Sequence, residues 1–223
     1  YKPNSTSLRM GDLGYISKAQ DNLNISYNTL EDYCLDLENA LTTPYKAYQD
    51  IGEFVDGKRV QLNTSVIQIE NEYYSTIRPK RVCLTGERPV NVLRTKGIEY
   101  LELRCVDLDP FSPVGVRRDQ LDFMDTLLMY CLLKESPPIG RDEAETIKNN
   151  HEKIINNGRD VSQIINLNGD EGTALDFSEK ILSELKEISS TLGGSVFKED
   201  KNLWMESIDL QIRKVKNIDE TLS

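Results

Sequence analysis

An α+β fold is the class this sequence predicts, and three observations carry it. Two segments in the first half, Ile67–Tyr74 and Ile98–Leu108, alternate polar and apolar residues with the period of a strand. Later segments repeat apolar residues at helical spacing. Between these regions the loop 135–140, Glu-Ser-Pro-Pro-Ile-Gly, breaks any continuing element. The predicted organisation is a sheet-bearing portion at 1–135 and a helical portion at 136–223, both within one domain.

Taken in order, the first twenty residues are turn-rich, with Gly11, Asp12 and Gly14 between Arg9 and Tyr15. Thr29 caps a helix that carries Leu30, Tyr33, Cys34, Leu37 and Leu41 on one face and stops before Pro44. A short second helix runs to about Ile51. Asp56-Gly57 then turns the chain into a strand from Lys58 to Leu62, where Lys58 and Arg59 read as edge charges. Gln68, Glu70, Glu72 and Tyr74 share one face of the Ile67–Tyr74 strand, and Ile67, Ile69 and Tyr73 share the other. Ile77-Arg78-Pro79-Lys80-Arg81 reads as a basic turn, followed by a short helix from Pro89 to a stop at Gly97.

On the Ile98–Leu108 strand, Leu101, Leu103 and Cys105 are expected in the core, while Tyr100, Glu102 and Arg104 face the other way, about 7 Å apart. A carboxylate beside a guanidinium can hold a divalent cation through oxygen and grip an anion with a fork of donors; the plainer alternative is a wet-face salt bridge. Farther on, Asp119 is expected to cap a helix with a Leu121, Met124, Leu127, Leu128, Cys131 and Leu132 stripe in the core. Helices are then expected at Arg141–Asn157, Asp176–Leu192 and Glu199–Leu222, the first two closed by Gly158 and by Gly193-Gly194. Asn168-Gly169-Asp170-Glu171-Gly172 lacks a phosphate-loop lysine and carries two acids, so it reads as a turn. Trp204, Ile208 and Ile212 read as packing.

Composition narrows the function classes. Of 223 residues, 27 are Lys or Arg and 37 are Asp or Glu, a formal net charge of -10 that disfavours a nucleic-acid partner. A small polyphosphate suits the local basic cluster better. No apolar run reaches the roughly 18 residues of a membrane span, so no membrane partner is expected. Cys34, Cys83, Cys105 and Cys131 are widely spaced with no Cys-x-x-Cys pair, which points to reduced thiols and a cytoplasmic setting. With His151 the only histidine, multi-histidine metal sites are excluded and His-based relays disfavoured.

Four stretches together resemble a known family: TSLRMGDLGYISKAQ, DGKRVQLN, QIENEYYSTIRPKRV and GIEYLELRCVDLDPFSPVGV. In that order they are similar to segments of the bacterial glutamate–cysteine ligases, over residues 1 to about 132, with a looser helical likeness beyond. The resemblance implies part of a cupped antiparallel sheet like that of glutamine synthetase, with flanking helices and a helical C-terminal tail. It also implies ATP and Mg2+, with L-glutamate and L-cysteine as substrates. The γ-carboxyl is phosphorylated by ATP, and the cysteine amine displaces the phosphate, the first step of glutathione synthesis.

Carried over by position, Arg9, Tyr15 and Tyr74 resemble residues of the cysteine pocket, Glu102 a magnesium ligand and Arg104 the arginine on the γ-glutamyl phosphate. Charge and location, rather than the resemblance, suggest Lys80 and Arg81 for the ATP phosphates, and Glu70 and Glu72 are further metal candidates or structural acids. The family's other metal-binding acids belong to an N-terminal half without counterpart here, so this chain alone is expected to be inactive. A non-catalytic ATP or amino-acid binding module, a partner of a complete ligase, or a ligase acting on another amine, are the alternatives.

Overall fold

The computed structural model describes residues 2–15, 17–195 and 201–221, and within them the α+β class holds: seven α-helices and six short strands. Among the described residues the strands form three two-stranded antiparallel ribbons. The chain divides into two compact units, one of residues 15–106 and one of residues 1–14 with 107–223. This division differs from the boundary expected near residue 135. Helix α4 (Arg118–Leu133) packs with α6 (Ala174–Ser195) and α7 (Lys201–Lys216), so it belongs with the C-terminal helices.

In the 15–106 unit, α1 (Leu30–Thr42) starts as expected: the Thr29 hydroxyl accepts the Asp32 N–H. Its buried face of Tyr33, Cys34, Leu37 and Ala40 packs with Ile67, Tyr73, and Val90 and Leu93 of α3 (Pro89–Lys96). Arg94 of α3 ties the two helices together, its terminal nitrogens 2.9 and 2.8 Å from the two Glu38 oxygens. After α2 (Lys46–Ile51), β1 (Phe54–Val55) and β2 (Lys58–Arg59) join through Asp56 and Gly57, whose φ angles of 49° and 75° suit a two-residue hairpin turn.

The expected strand at Ile67–Tyr74 is not one. Glu70–Glu72 form a 3-10 turn, and the Glu72 carboxylate accepts the Gln68 N–H, a local bond that replaces strand pairing. The strand lies instead at the expected basic turn: β3 (Ile77–Lys80) pairs with β4 (Tyr100–Leu103), Arg78 opposite Glu102 and Pro79 opposite Leu101. The Arg104 N–H bonds the Thr76 carbonyl, and alternation from there puts Pro79 at a non-bonded position, where a missing N–H costs no ladder bond. The expected core face of β4 is largely uncovered. Leu101 is 47% exposed and Cys105 is exposed, although Pro79, opposite Leu101 on the same face, is buried.

In the other unit, α4 begins after Arg117, which closes a capping box with Gln120, rather than after Asp119. Its inner face also differs from the expected stripe: Phe123, Leu127 and Tyr130 pack on Leu182, Leu185 and Ile208, while Leu121 and Leu132 are exposed. Asp122 and Thr126 occupy the most buried positions, because Arg118 neutralises Asp122 and the Thr126 hydroxyl donates to its carbonyl. Helix α5 (Arg141–Asn157) stops at Gly158 as expected. Two strands that the sequence pattern does not announce, β5 (Ile164–Leu167) and β6 (Asp170–Thr173), are joined by the Asn168-Gly169 turn at φ 55° and 88°. Helix α6 runs through Gly193-Gly194 to Ser195 rather than stopping at Leu192. The expected last helix starts at Lys201 among the described residues and gives way to a 3-10 turn at Ile218–Glu220; its expected ends, Glu199 and Leu222, lie outside the described residues.

Candidate functional site

Antiparallel pairing decides what the β3–β4 ribbon displays. Arg78 and Glu102 are direct cross-strand partners, and Lys80 faces Tyr100 one step along. By alternation these four side chains share a face with Arg104, so the ribbon gathers three cations around one carboxylate. Arg104 reaches back along its own strand to place Nη2 3.1 Å from Glu102 Oε1. The second oxygen, Oε2, is buried and has no hydrogen-bond partner among the described residues. Burial works to raise the Glu102 carboxyl, but the hydrogen bond and charge of Arg104, with the charges of Lys80 and Arg78, leave it below the usual carboxylate range.

The string of contacts extends beyond the ribbon. The Arg104 guanidinium lies 5.8 Å from the centre of the Tyr74 ring, and Tyr74 packs on Tyr15 with ring centres 4.9 Å apart. Tyr74 is held at its backbone, where its N–H donates to the Gln20 side-chain oxygen, and the Gln20 amide donates to the Glu72 carbonyl. Tyr15 itself is 57% exposed. Tyr15, Tyr74, Arg104 and Glu102 therefore form one continuous series of contacts, although 87 residues separate its ends (102 minus 15).

On the same ribbon a cavity of about 290 Å³ opens, lined by Arg78, Lys80 and Arg81 with Asn71, Cys83 and Tyr100. Arg78 is the residue that sequence reasoning passed over. It is only 3% exposed, it donates to the carbonyls of Glu70 and Asn71, and its Nε has no partner among the described residues. Its place in an Arg-Pro-Lys-Arg run is visible in the sequence; its burial is not, because a basic run around a proline resembles a turn and only pairing makes it a strand. Burial, then the charge of Arg78, push the Lys80 ammonium below the usual lysine range, partly offset by Glu102. Lys80 contacts Asn71 at 3.5 Å. Arg81 is differently placed: its Nη1 donates to the carbonyls of Lys96 and Gly97, closing the C-terminal end of α3.

The remaining candidates sit elsewhere. Glu70 pairs with Arg88 at 2.9 Å, and Glu72 caps its own turn, so both are engaged structurally. Arg9 belongs to the other unit, on an exposed loop gripped by Asp107, whose carboxylate accepts the Ser7 hydroxyl and the N–H groups of Leu8 and Arg9, each at 2.9 Å. Among the described residues no group of three or more His, Cys, Asp or Glu could hold a metal ion. Glu102 Oε2 fits a single carboxylate ligand, and Mg2+ is commonly held by one or two carboxylates with substrate phosphates and water.

The fold is thus one of helices and short antiparallel ribbons, with the Glu102 carboxylate set among a buried Arg78, a partly buried Lys80 and Arg104, and a stacked tyrosine pair. The sequence profile of the glutamate–cysteine ligases matches residues 1–154. The chain belongs to that family. It is 40% identical over 217 residues to the glutamate–cysteine ligase of Pseudomonas fluorescens, covering 97% of this chain and 40% of that protein. It is 43% identical over 203 residues to that of Hahella chejuensis, covering 87% and 39%. The solved glutamate–cysteine ligase of Francisella tularensis in complex with AMP superposes with a TM-score of 0.88 at 35% identity, over 98% of this chain and 43% of that one. A bifunctional glutathione synthetase from Pasteurella multocida shares the fold, at a TM-score of 0.61 and 20% identity. The chain thus spans about 40% of the length of these curated ligases.

Proposed function

We propose that this chain supplies part of the active site of an ATP-dependent ligase that joins the γ-carboxyl of L-glutamate to the amine of L-cysteine through a γ-glutamyl phosphate. The observation that carries the reading is the contact series Tyr15, Tyr74, Arg104 and Glu102, set beside membership of the glutamate–cysteine ligase family. A carboxylate is a poor acyl donor, because its oxygen leaves badly until it is phosphorylated. Both phosphorylation and amine attack build negative charge on oxygen, and fixed cations lower the barrier most where water is excluded. Arg104, held by Glu102 and Tyr74, is oriented to contact the γ-glutamyl phosphate. Tyr15 and Tyr74, stacked on each other, contribute to the cysteine pocket, and Arg9 is carried as a separate candidate for the cysteine carboxylate. Lys80 and Arg81 serve the ATP phosphates, with Arg78 deeper in the same cavity. AMP in the Francisella relative supports a nucleotide site.

Magnesium, when bound through Glu102, supplies charge neutralisation for the phosphoryl oxygens. The orphaned Oε2 supports that role, and further ligands come from outside the described residues, so the 223-residue chain by itself releases no ADP above background. A cytoplasmic location belongs to the same proposal, supported by four free cysteines.

ADP release measured with magnesium, glutamate and cysteine tests the reading, in this chain alone and mixed with the remaining part of a full-length relative. Turnover dependent on both amino acids is expected only in the mixture, and Glu102→Gln is expected to lower it by at least about a hundredfold. Lys80→Ala is expected to raise the KM for ATP; Arg81→Ala should raise it while also lowering Tm, because α3 loses its end bonds. A mixture that assembles and binds ATP without turnover would overturn the ligase assignment and leave a binding module.

A further inference from the structure

The unit of residues 1–14 and 107–223 contains a second cavity, of about 280 Å³, that no part of the ligase chemistry uses. Two cations border it, Arg159 just beyond the end of α5 and Lys214 near the end of α7. In this acidic chain the neighbouring cations are matched to carboxylates: Arg213 lies 3.4 Å from Glu220, Lys216 3.3 Å from Glu179, and Arg117 2.8 Å from Asp109. Arg159 and Lys214 have no carboxylate within ion-pair distance among the described residues.

Arg159 is anchored without being neutralised. Its Nη2 donates to the Ile218 carbonyl at 3.1 Å and its backbone N–H to the Asn4 carbonyl at 3.1 Å, while Nε is buried and unpartnered. Its position is tightly fixed, since a Cβ on the preceding Gly158 would fall 2.5 Å from the Ile154 carbonyl and 2.6 Å from the Thr6 methyl. Burial, then the charge of Arg117, hold the Lys214 ammonium below the usual lysine range, partly offset by Asp119, Asp109 and Glu220. The one acid on the cavity wall, Asp160, is occupied by Ser162, whose N–H and hydroxyl donate to it at 2.9 and 2.7 Å. The rest of the lining is largely apolar, with Ile154, Leu175 and Val215 on the walls and Val161, 60% exposed, beside them.

We propose that this cavity is a binding site for a small organic carboxylate with a short aliphatic body. The carboxylate places its negative charge between the Arg159 guanidinium and the Lys214 ammonium that border the cavity, and the aliphatic part fills the apolar walls. The site lies in a different unit from the ligase ribbon and rests on none of that chemistry.

Calorimetric titration of the 223-residue chain with butyrate, hexanoate and inorganic phosphate tests it. Hexanoate is expected to bind saturably, several-fold tighter than butyrate and at least about tenfold tighter than phosphate. Lys214→Gln removes a side chain that makes no hydrogen bond or ion pair among the described residues, so the fold is undisturbed; it is expected to weaken hexanoate at least about fivefold. Arg159→Gln is expected to weaken it at least about tenfold, and Lys216→Gln to leave it unchanged. No saturable hexanoate binding, binding unaltered in Lys214→Gln, or phosphate binding as tightly as hexanoate would each overturn the proposal.

Discussion

Gly14 sits where the chain crosses the backbone of Arg9: a Cβ there would stand 1.7 Å from the Arg9 carbonyl oxygen, a distance no side chain can occupy. Gly14→Ala is expected to destabilise the loop carrying Arg9 by roughly 2–4 kcal/mol, read from urea denaturation, because backbone rather than a flexible side chain must move. His151 offers a second measurement. Burial lowers its pKa below the ordinary 6.5, with the Glu152 charge opposing. A lowered folded pKa means that the unfolded chain binds the proton more readily, so this contribution is complete above the unfolded pKa and is lost as pH falls through the window below 6.5. As the only histidine, it makes the comparison clean: His151→Gln is expected to flatten the dependence of the urea midpoint between about pH 7 and 5 relative to the parent chain. An identical slope in both would remove His151 as its source.

At the scale of elements, the helices of the C-terminal unit depend on one shared seam. Ile208 of α7 and Leu185 of α6 are fully buried, with Phe123, Leu127 and Tyr130 of α4 packed against them. Ile208→Ala is expected to cost about 2–5 kcal/mol, since a three-helix contact cannot collapse around the hole; a loss below about 1 kcal/mol would show the seam to be loosely packed. That seam was only partly legible. Ile208 and Ile212 were read correctly, but the face of α4 was rotated toward its leucines, because Asp122 and Thr126 reach buried positions through partners that hydrophobic periodicity does not register. The ribbon shows the same limit. Alternation identified Glu102 and Arg104 as neighbours on one face, yet it assigned a strand to the Gln68–Glu72 segment, where side-chain bonding to the backbone forms a turn.

At the scale of the molecule, apolar residues of β4 and of the loop after β3 stand in water: Leu101 is 47%, Val82 64% and Leu84 71% exposed. Short ribbons uncovered in this way recruit other surfaces. The isolated chain is therefore expected to bind an apolar fluorescent dye and to self-associate, and Leu84→Lys with Leu101→Lys should reduce both. Dye binding unchanged by the double substitution would place the sticky surface elsewhere.

The sequence by itself determined the α+β class, the starts of α1 and α3, the turn residues Asp56-Gly57 and Asn168-Gly169, and the pairing of Glu102 with Arg104. These follow from caps, backbone freedom and alternation, all of which act over a few residues. Only tertiary structure decided that Tyr15 and Tyr74 stack, that Arg78 is buried beside Lys80, and that Arg159 and Lys214 border one cavity with no carboxylate at ion-pair distance among the described residues. Those relations join residues distant in the chain, and burial and charge balance depend on every element that packs around a site.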